Sequence, residues 1–142
     1  MKNKLKTLSV VALLSSTAMK AYPQAEAAAP KTQNLLSGVK IVHTVIGSGS
    51  RPVATDKVRV HYRGRLPDGF EFDNSFTEGI PAIMPLNKVI RCWTQAMQHM
   101  QVGGKASLWC PAEMSYGAEG LGNVIPPNTA LTFEVELLGI EK

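Results

Sequence analysis

The sequence predicts an α+β fold in which a curved antiparallel sheet lies across one short helix. Two observations carry that expectation. Several runs alternate apolar and polar residues with period two, and a single segment after the N-terminal region, from Val89 to Met100, repeats its apolar residues at helical spacing. Neither kind of element can bury its apolar face alone, so the economical arrangement sets the strands against the helix. With 142 residues, one domain is expected, and the stretch after about Leu36 is long enough to hold a core of its own.

The chain opens with Lys2, Lys4 and Lys6, then the apolar run Leu8 to Leu14 and an alanine-rich stretch. That order predicts a secretory signal over residues 1–27, with Ala25-Glu26-Ala27 fitting the small-x-small cleavage rule. The apolar run is shorter than the roughly 20 residues a membrane span needs, so no permanent membrane anchor is expected and the destination is periplasmic or secreted. Residues 28–36, with the polar stretch Pro30 to Asn34, are expected to be a linker, and 37–142 the folded unit.

Within that unit, Val39 to Val45 is a predicted strand, ended by Gly47-Ser48-Gly49-Ser50. Val58, Val60 and Tyr62 share one face of the next strand, while Arg59, His61 and Arg63 point to water. Leu66-Pro67-Asp68-Gly69 supplies a turn, with proline presetting φ and glycine accepting the left-handed position, and Phe70 to Asp73 completes a hairpin. Val89, Trp93, Ala96 or Met97, and Met100 define the helix, with Asn87 as its expected cap and Gly103-Gly104 as its end. Ala106 to Cys110 and Leu131 to Leu137 are two more strands, the second turning Thr132, Glu134 and Glu136 outward. Between them, Ala112 to Thr129 is too long for an ordinary connection, and Tyr116 with Pro126-Pro127 marks it as an ordered flap.

The formal net charge of +4 divides unevenly: Lys2, Lys4, Lys6 and Lys20 against Glu26 place +3 in the first 27 residues and leave +1 for the remainder. The folded part is therefore nearly neutral, and no nucleic-acid partner is expected. No metal or phosphate motif is present, so no cofactor is expected, and neither a Gly-x-Ser-x-Gly elbow nor a plausible triad supports a hydrolase. In an oxidising compartment Cys92 and Cys110, 18 residues apart, can pair; two buried thiols that never meet is the alternative reading. Any chemistry must run in a mostly apolar pocket with Asp73 as its one suggestive acid.

The order of motifs resembles the FKBP-type peptidyl-prolyl cis-trans isomerases. It is carried by Val60-His61-Tyr62-Arg63-Gly64, Asp68-Gly69-x-x-Phe72-Asp73-x-Ser75, Val89-Ile90-x-x-Trp93, Val102-Gly103-Gly104-Lys105, Tyr116-Gly117, Ile125-Pro126-Pro127 and Phe133-x-Val135-Glu136-Leu137-Leu138. It covers about Ser37 to Lys142 and is most similar to the exported bacterial branch related to the macrophage infectivity potentiators. The resemblance implies a half-open sheet of five or six strands around the helix, and rotation of X-Pro bonds in exported polypeptides.

It also implies a site: Trp93 as pocket floor, Tyr62, Phe72, Val89, Ile90 and Phe133 as walls, and Asp73 beside the substrate backbone. The Ile90 amide and Tyr116 would be hydrogen-bond donors, and Ile125 would close the pocket from the flap. Proline-containing polypeptides are the implied partners and macrolide inhibitors a further ligand class. Ala82 stands where the best-known pattern has an aromatic, with Met84 two residues on, so the pocket should be wider on that side. Cys92 replaces the glycine often found before the helix tryptophan in that family, and its match with Cys110 near the strand below makes the disulfide geometrically reasonable. The short linker implies a monomer. A proline-motif binding module or holdase chaperone with weak or no isomerase activity is the alternative function.

Overall fold

The computed structural model describes residues 29–142, so the expected signal, residues 1–27, lies outside the described residues. Seven strands form one antiparallel sheet: β1 (Lys31–Asn34), β2 (Lys40–Val45), β3 (Lys57–Arg65), β4 (Glu71–Asn74), β5 (Ala82–Pro85), β6 (Lys105–Cys110) and β7 (Leu131–Glu141). The spatial order is β1-β2-β6-β7-β3-β4, and β5 also pairs with β3. Two helices complete the set, α1 (Ser75–Glu78) and α2 (Arg91–Met97).

The count exceeds the five or six strands expected, for two reasons. The segment read as a linker contains β1, which pairs with β2 in the register Lys31↔His43 to Asn34↔Lys40. Its polar composition hid it, because an edge strand lying largely in water needs no apolar alternation. Ala82–Pro85 is the other addition, and it pairs with the first half of β3, from Lys57 to Val60.

β3 organises the site. Along one edge it pairs with β7 over its whole length, with a register shift between Arg59 and Val60. Along the other, β5 takes its first half and β4 its end, from Arg63 to Arg65. In the gap between them the chain leaves for α1, which is capped by the Asn74 side chain accepting from the Phe76 amide at 2.8 Å and ended by Gly79 at φ +68°. Ser75, at the start of α1, fills the missing place on the ladder: its Oγ accepts from the Tyr62 amide at 2.8 Å and lies 2.9 Å from His61 Nδ1.

One face of β3 buries Val58 and Val60 completely; the other carries Arg63 and Arg65, which meet Glu134 of β7 at 3.5 and 3.1 Å. These pairs are partly solvated, so each contributes under about 1 kcal/mol. The larger contribution comes from the inner face. Val39, Ile41, Leu108, Val135 and Leu137 join the β3 valines against Ala96, Met97 and Met100 from the helix side. Full burial of such a side chain stabilises by roughly 1.5–3 kcal/mol.

Helix α2 is shorter than its apolar spacing suggests and begins later. Its cap is Ile90, not Asn87, which lies instead in a 3₁₀ turn over Leu86–Lys88. Ile90 has no side-chain acceptor for a cap; its carbonyl takes the Trp93 and Thr94 amides at 3.0 and 3.2 Å, and Thr94 Oγ1 donates to Leu86 O at 2.6 Å. The last helical residue is Met97, well before Gly103-Gly104. Cys92 and Cys110 form a disulfide with Cα atoms 5.7 Å apart, fastening α2 to β6. The flap is ordered through a 3₁₀ turn (Ala112–Met114), a Leu121↔Ile125 bridge and an Asn128 amide donating to Gly117 O at 2.8 Å.

Candidate active site

Where the start of α2 faces β3, β4 and β7, a cavity of about 510 Å³ opens to the surface. Volumes of this order hold small organic ligands or a few residues of peptide. Tyr62, Phe72, Asp73, Val89, Ile90, Trp93, Tyr116 and Phe133 all line it. These are eight of the nine residues singled out from sequence.

Trp93 sits at its base, 3% exposed, and the other rings are arranged around it edge to face. Tyr62 and Phe133 meet it with centroids 4.9 and 5.3 Å away, and Phe72 meets Phe133 at 5.8 Å. Edge-to-face pairs suit the aromatic quadrupole and each adds about 0.5–1.5 kcal/mol beyond simple burial, so the walls hold one another in place. The Trp93 indole nitrogen is buried with no acceptor among the described residues. What Trp93 offers the cavity is therefore its ring, not its N–H.

The polar groups lie at the rim. Tyr62 donates its hydroxyl to Asp73 Oδ2, which orients the exposed carboxylate beside the opening. Burial first, and then the Asp73 carboxylate that accepts its proton, push the Tyr62 phenol far above its usual 10.0. Burial, followed by the charge of Asp73, raises Tyr116 as well. Both phenols are thus donors at neutral pH. The Ile90 amide, outside the helical ladder at the cap position, has no acceptor among the described residues and is a free donor at the same rim.

Ile125 stands apart from the expectation. It is 1% exposed, belongs to the core and does not line the cavity. A backbone bridge pairs it with Leu121 within the flap.

Met84, Lys88 and Ser115 line the cavity without having been singled out as site residues, while Ala82 does not reach it. Two further residues shape the site and were missed. Ser75 holds the backbone at Tyr62, as described above. Gly64 makes room: a β-carbon there would come within 2.5 Å of Phe72 Cζ and 2.8 Å of Phe133 Cε1. The signal was available, since a glycine two residues after an inward tyrosine in a strand marks close approach of another group.

A sheet wrapped on a helix with an aromatic cleft between them, and no paired acid and base in that cleft among the described residues, defines a class of protein whose site is an apolar hollow with polar groups at its rim. Residues 49–138 match the family described as FKBP-type peptidyl-prolyl cis-trans isomerase, and the chain belongs to that family. It is 45% identical over 121 residues to the FKBP-type isomerase FkpA of Aeromonas hydrophila, covering 85% of this chain and 45% of that one. It is 41% identical over 121 residues to the macrophage infectivity potentiator of Trypanosoma cruzi, covering 84% and 62%. A crystal structure of a peptidyl-prolyl cis-trans isomerase from Pseudomonas syringae aligns with a TM-score of 0.74 at 41% identity, covering 83% of this chain and 86% of that one. The chain thus spans less than two thirds of the length of those two curated relatives.

Proposed function

We propose that this cleft accelerates cis–trans rotation about X-Pro bonds in exported polypeptides and so assists their folding. The observation that carries the reading is the ring of Tyr62, Phe72, Trp93 and Phe133 around one cavity, with donors and a carboxylate only at its rim. X-Pro rotation meets a barrier of about 18–20 kcal/mol because resonance gives the C–N bond double-bond character. No bond breaks and no proton moves. At the twisted geometry resonance is lost and the carbonyl is less dipolar, so an apolar enclosure disfavours the planar state more than the twisted one.

In this reading the proline ring rests on Trp93 between Tyr62, Phe72, Val89 and Phe133. The Ile90 amide and the Tyr116 hydroxyl hold carbonyls of the flanking backbone, and Asp73 accepts from it. Fixing the flanks while one carbonyl turns is binding energy directed at the transition state. Because uncatalysed rotation takes tens to hundreds of seconds, it limits folding, which is the need such an enzyme meets. Macrolides are a second ligand class, and they would meet Met84, which lines the cavity where Ala82 does not.

Residues 1–27 act as a cleaved export signal and the remainder works as a monomer. The mass of secreted material and its sedimentation would reveal an uncleaved chain or a dimer if either existed.

The decisive experiment follows cis–trans exchange in short X-Pro peptides with the wild type and with Tyr116→Phe, Asp73→Val and Phe133→Tyr. Acceleration by the wild type that drops in the variants supports the enzyme. Peptide binding with no acceleration would establish a binding module or holdase instead.

A further inference from the structure

At the other end of α2, where His99 to Gln101 leave the helix, a second and smaller cavity of about 60 Å³ has a different chemistry. Lys31, Gln33, His43, Arg51, His99 and Gln101 are among the residues that line it, and no carboxylate does. Lys31 is the cross-strand partner of His43, which places the two side by side at the end of the inner sheet face. His43 is 7% exposed, with Nε2 2.6 Å from Gln33 Oε1. Arg51 donates Nη1 to His99 O at 2.9 Å, and Gln101 Nε2 donates to Gly49 O at 3.1 Å, so the loop after β2 is tied over the cavity.

A solvated basic face would leave its charges spread out in water. Here Lys31, Arg51 and two imidazoles line one hollow, with both cations reaching it from exposed positions, and no salt bridge among the described residues involves Lys31 or Arg51. Burial, then the charges of Lys31, Arg51 and His99, lower the pKa of the buried His43 imidazole from its usual 6.5, so the cations around it disfavour a further positive charge. A metal ion would add to that repulsion, whereas an anion would relieve it. The volume is on the order of a few water molecules, room for an anion of four or five heavy atoms and for little else.

We propose that this cavity is a binding site for a small oxyanion of the sulfate or phosphate class, held by Lys31 and Arg51 beside the imidazoles of His43 and His99. The site is separate from the aromatic cleft, which lies at the opposite end of α2, and the proposal does not rest on the isomerase reading. The groups facing His43 are Lys31 from β1, Arg51 from the loop after β2 and His99 from the segment after α2.

Calorimetric titration of the protein with sodium sulfate, against sodium chloride at matched ionic strength, tests it. Sulfate keeps its charge across the pH range used, so any pH dependence belongs to the protein. Saturable binding of sulfate is expected, weakening as rising pH removes the proton from His43, whose pKa burial and then the charges of Lys31, Arg51 and His99 already lower. Arg51→Gln and Lys31→Gln, both at exposed positions that should not disturb folding, should each weaken binding roughly tenfold or more. Isomerisation of X-Pro peptides should be unchanged in both. Glycerol phosphate, run in parallel, distinguishes the source: tighter binding than inorganic phosphate would mean that the oxyanion is carried on a larger molecule. Heats indistinguishable from chloride, or sulfate binding untouched in both variants, would overturn the site.

Discussion

Gly64 shows how much of a site can depend on an absent side chain. Two rings occupy the space a β-carbon would take, so Gly64→Ala must push Phe72 and Phe133 apart. The expected result is a stability loss of about 1–3 kcal/mol by chemical denaturation. Peptide isomerisation should fall roughly ten- to a hundredfold, because displacements near 1 Å at a reacting centre have that effect. Tyr62 makes a different prediction. Its phenol stays protonated in the folded state after the unfolded-state phenol, near 10.0, has begun to ionise. A raised folded pKa means stability that is complete below pH 10 and falls as pH climbs above it. Tyr62→Phe, which keeps the ring against Trp93, should flatten that alkaline decline in denaturation curves taken across the range. At neutral pH the lost hydrogen bond to Asp73 should reduce stability by only about 1 kcal/mol. At this scale the chemistry-bearing rings were readable in the sequence by their order. Ser75 was not, because it acts through the Tyr62 backbone, and Gly64 left only the indirect signal of a glycine inside a strand, because it acts through space it leaves empty.

Among the elements, α2 carries the floor of the cleft on its first turn and half of the disulfide beside it. Cys92 precedes Trp93, so the bridge to Cys110 fixes the helix end on which the cleft is built. By the chain-entropy estimate, closing a loop of this length stabilises by about 3 kcal/mol. The paired substitution Cys92→Ala with Cys110→Ala should lower the unfolding free energy by about that amount and steepen the denaturation slope, since the unfolded chain is no longer cross-linked. Isomerisation below the transition should be mostly retained, since neither sulfur lines the cavity. The alternation of β3, β6 and β7 and the spacing of Trp93, Ala96, Met97 and Met100 were legible because each element buries one face. The cap was not. Asn87 is the better cap chemically, yet the turn at Leu86–Lys88 must swing Leu86 into the core, and that burial shifts the helix start to Ile90.

Taken whole, the fold separates its two ends: an aromatic cleft at the start of α2 and a basic hollow beyond its finish. Strand β1 contributes only to the second. A chain beginning at Ser37, where the domain was expected to start, loses the four-residue ladder with β2 and one side of the hollow. Its stability should fall by about 1–3 kcal/mol from the lost cross-strand pairs, with peptide isomerisation unchanged. Denaturation and isomerase assays on the truncated and longer chains would check both halves of that statement. The sequence by itself determined β2, β3, β4, β6, β7 and the helix that carries Trp93, because burial of one face imposes a period on the residues, but not β1, β5 or α1. The order of its motifs named eight of the residues that line the aromatic cleft, but neither Lys88 nor Ser115 among its site residues. Only the tertiary structure decided that a polar segment becomes an edge strand and that Ile125 faces the core. It alone set a serine in place of a missing ladder partner and brought Lys31, His43, Arg51 and His99 to one hollow. None of these leaves a period or a motif, for each depends on which distant segment lies alongside.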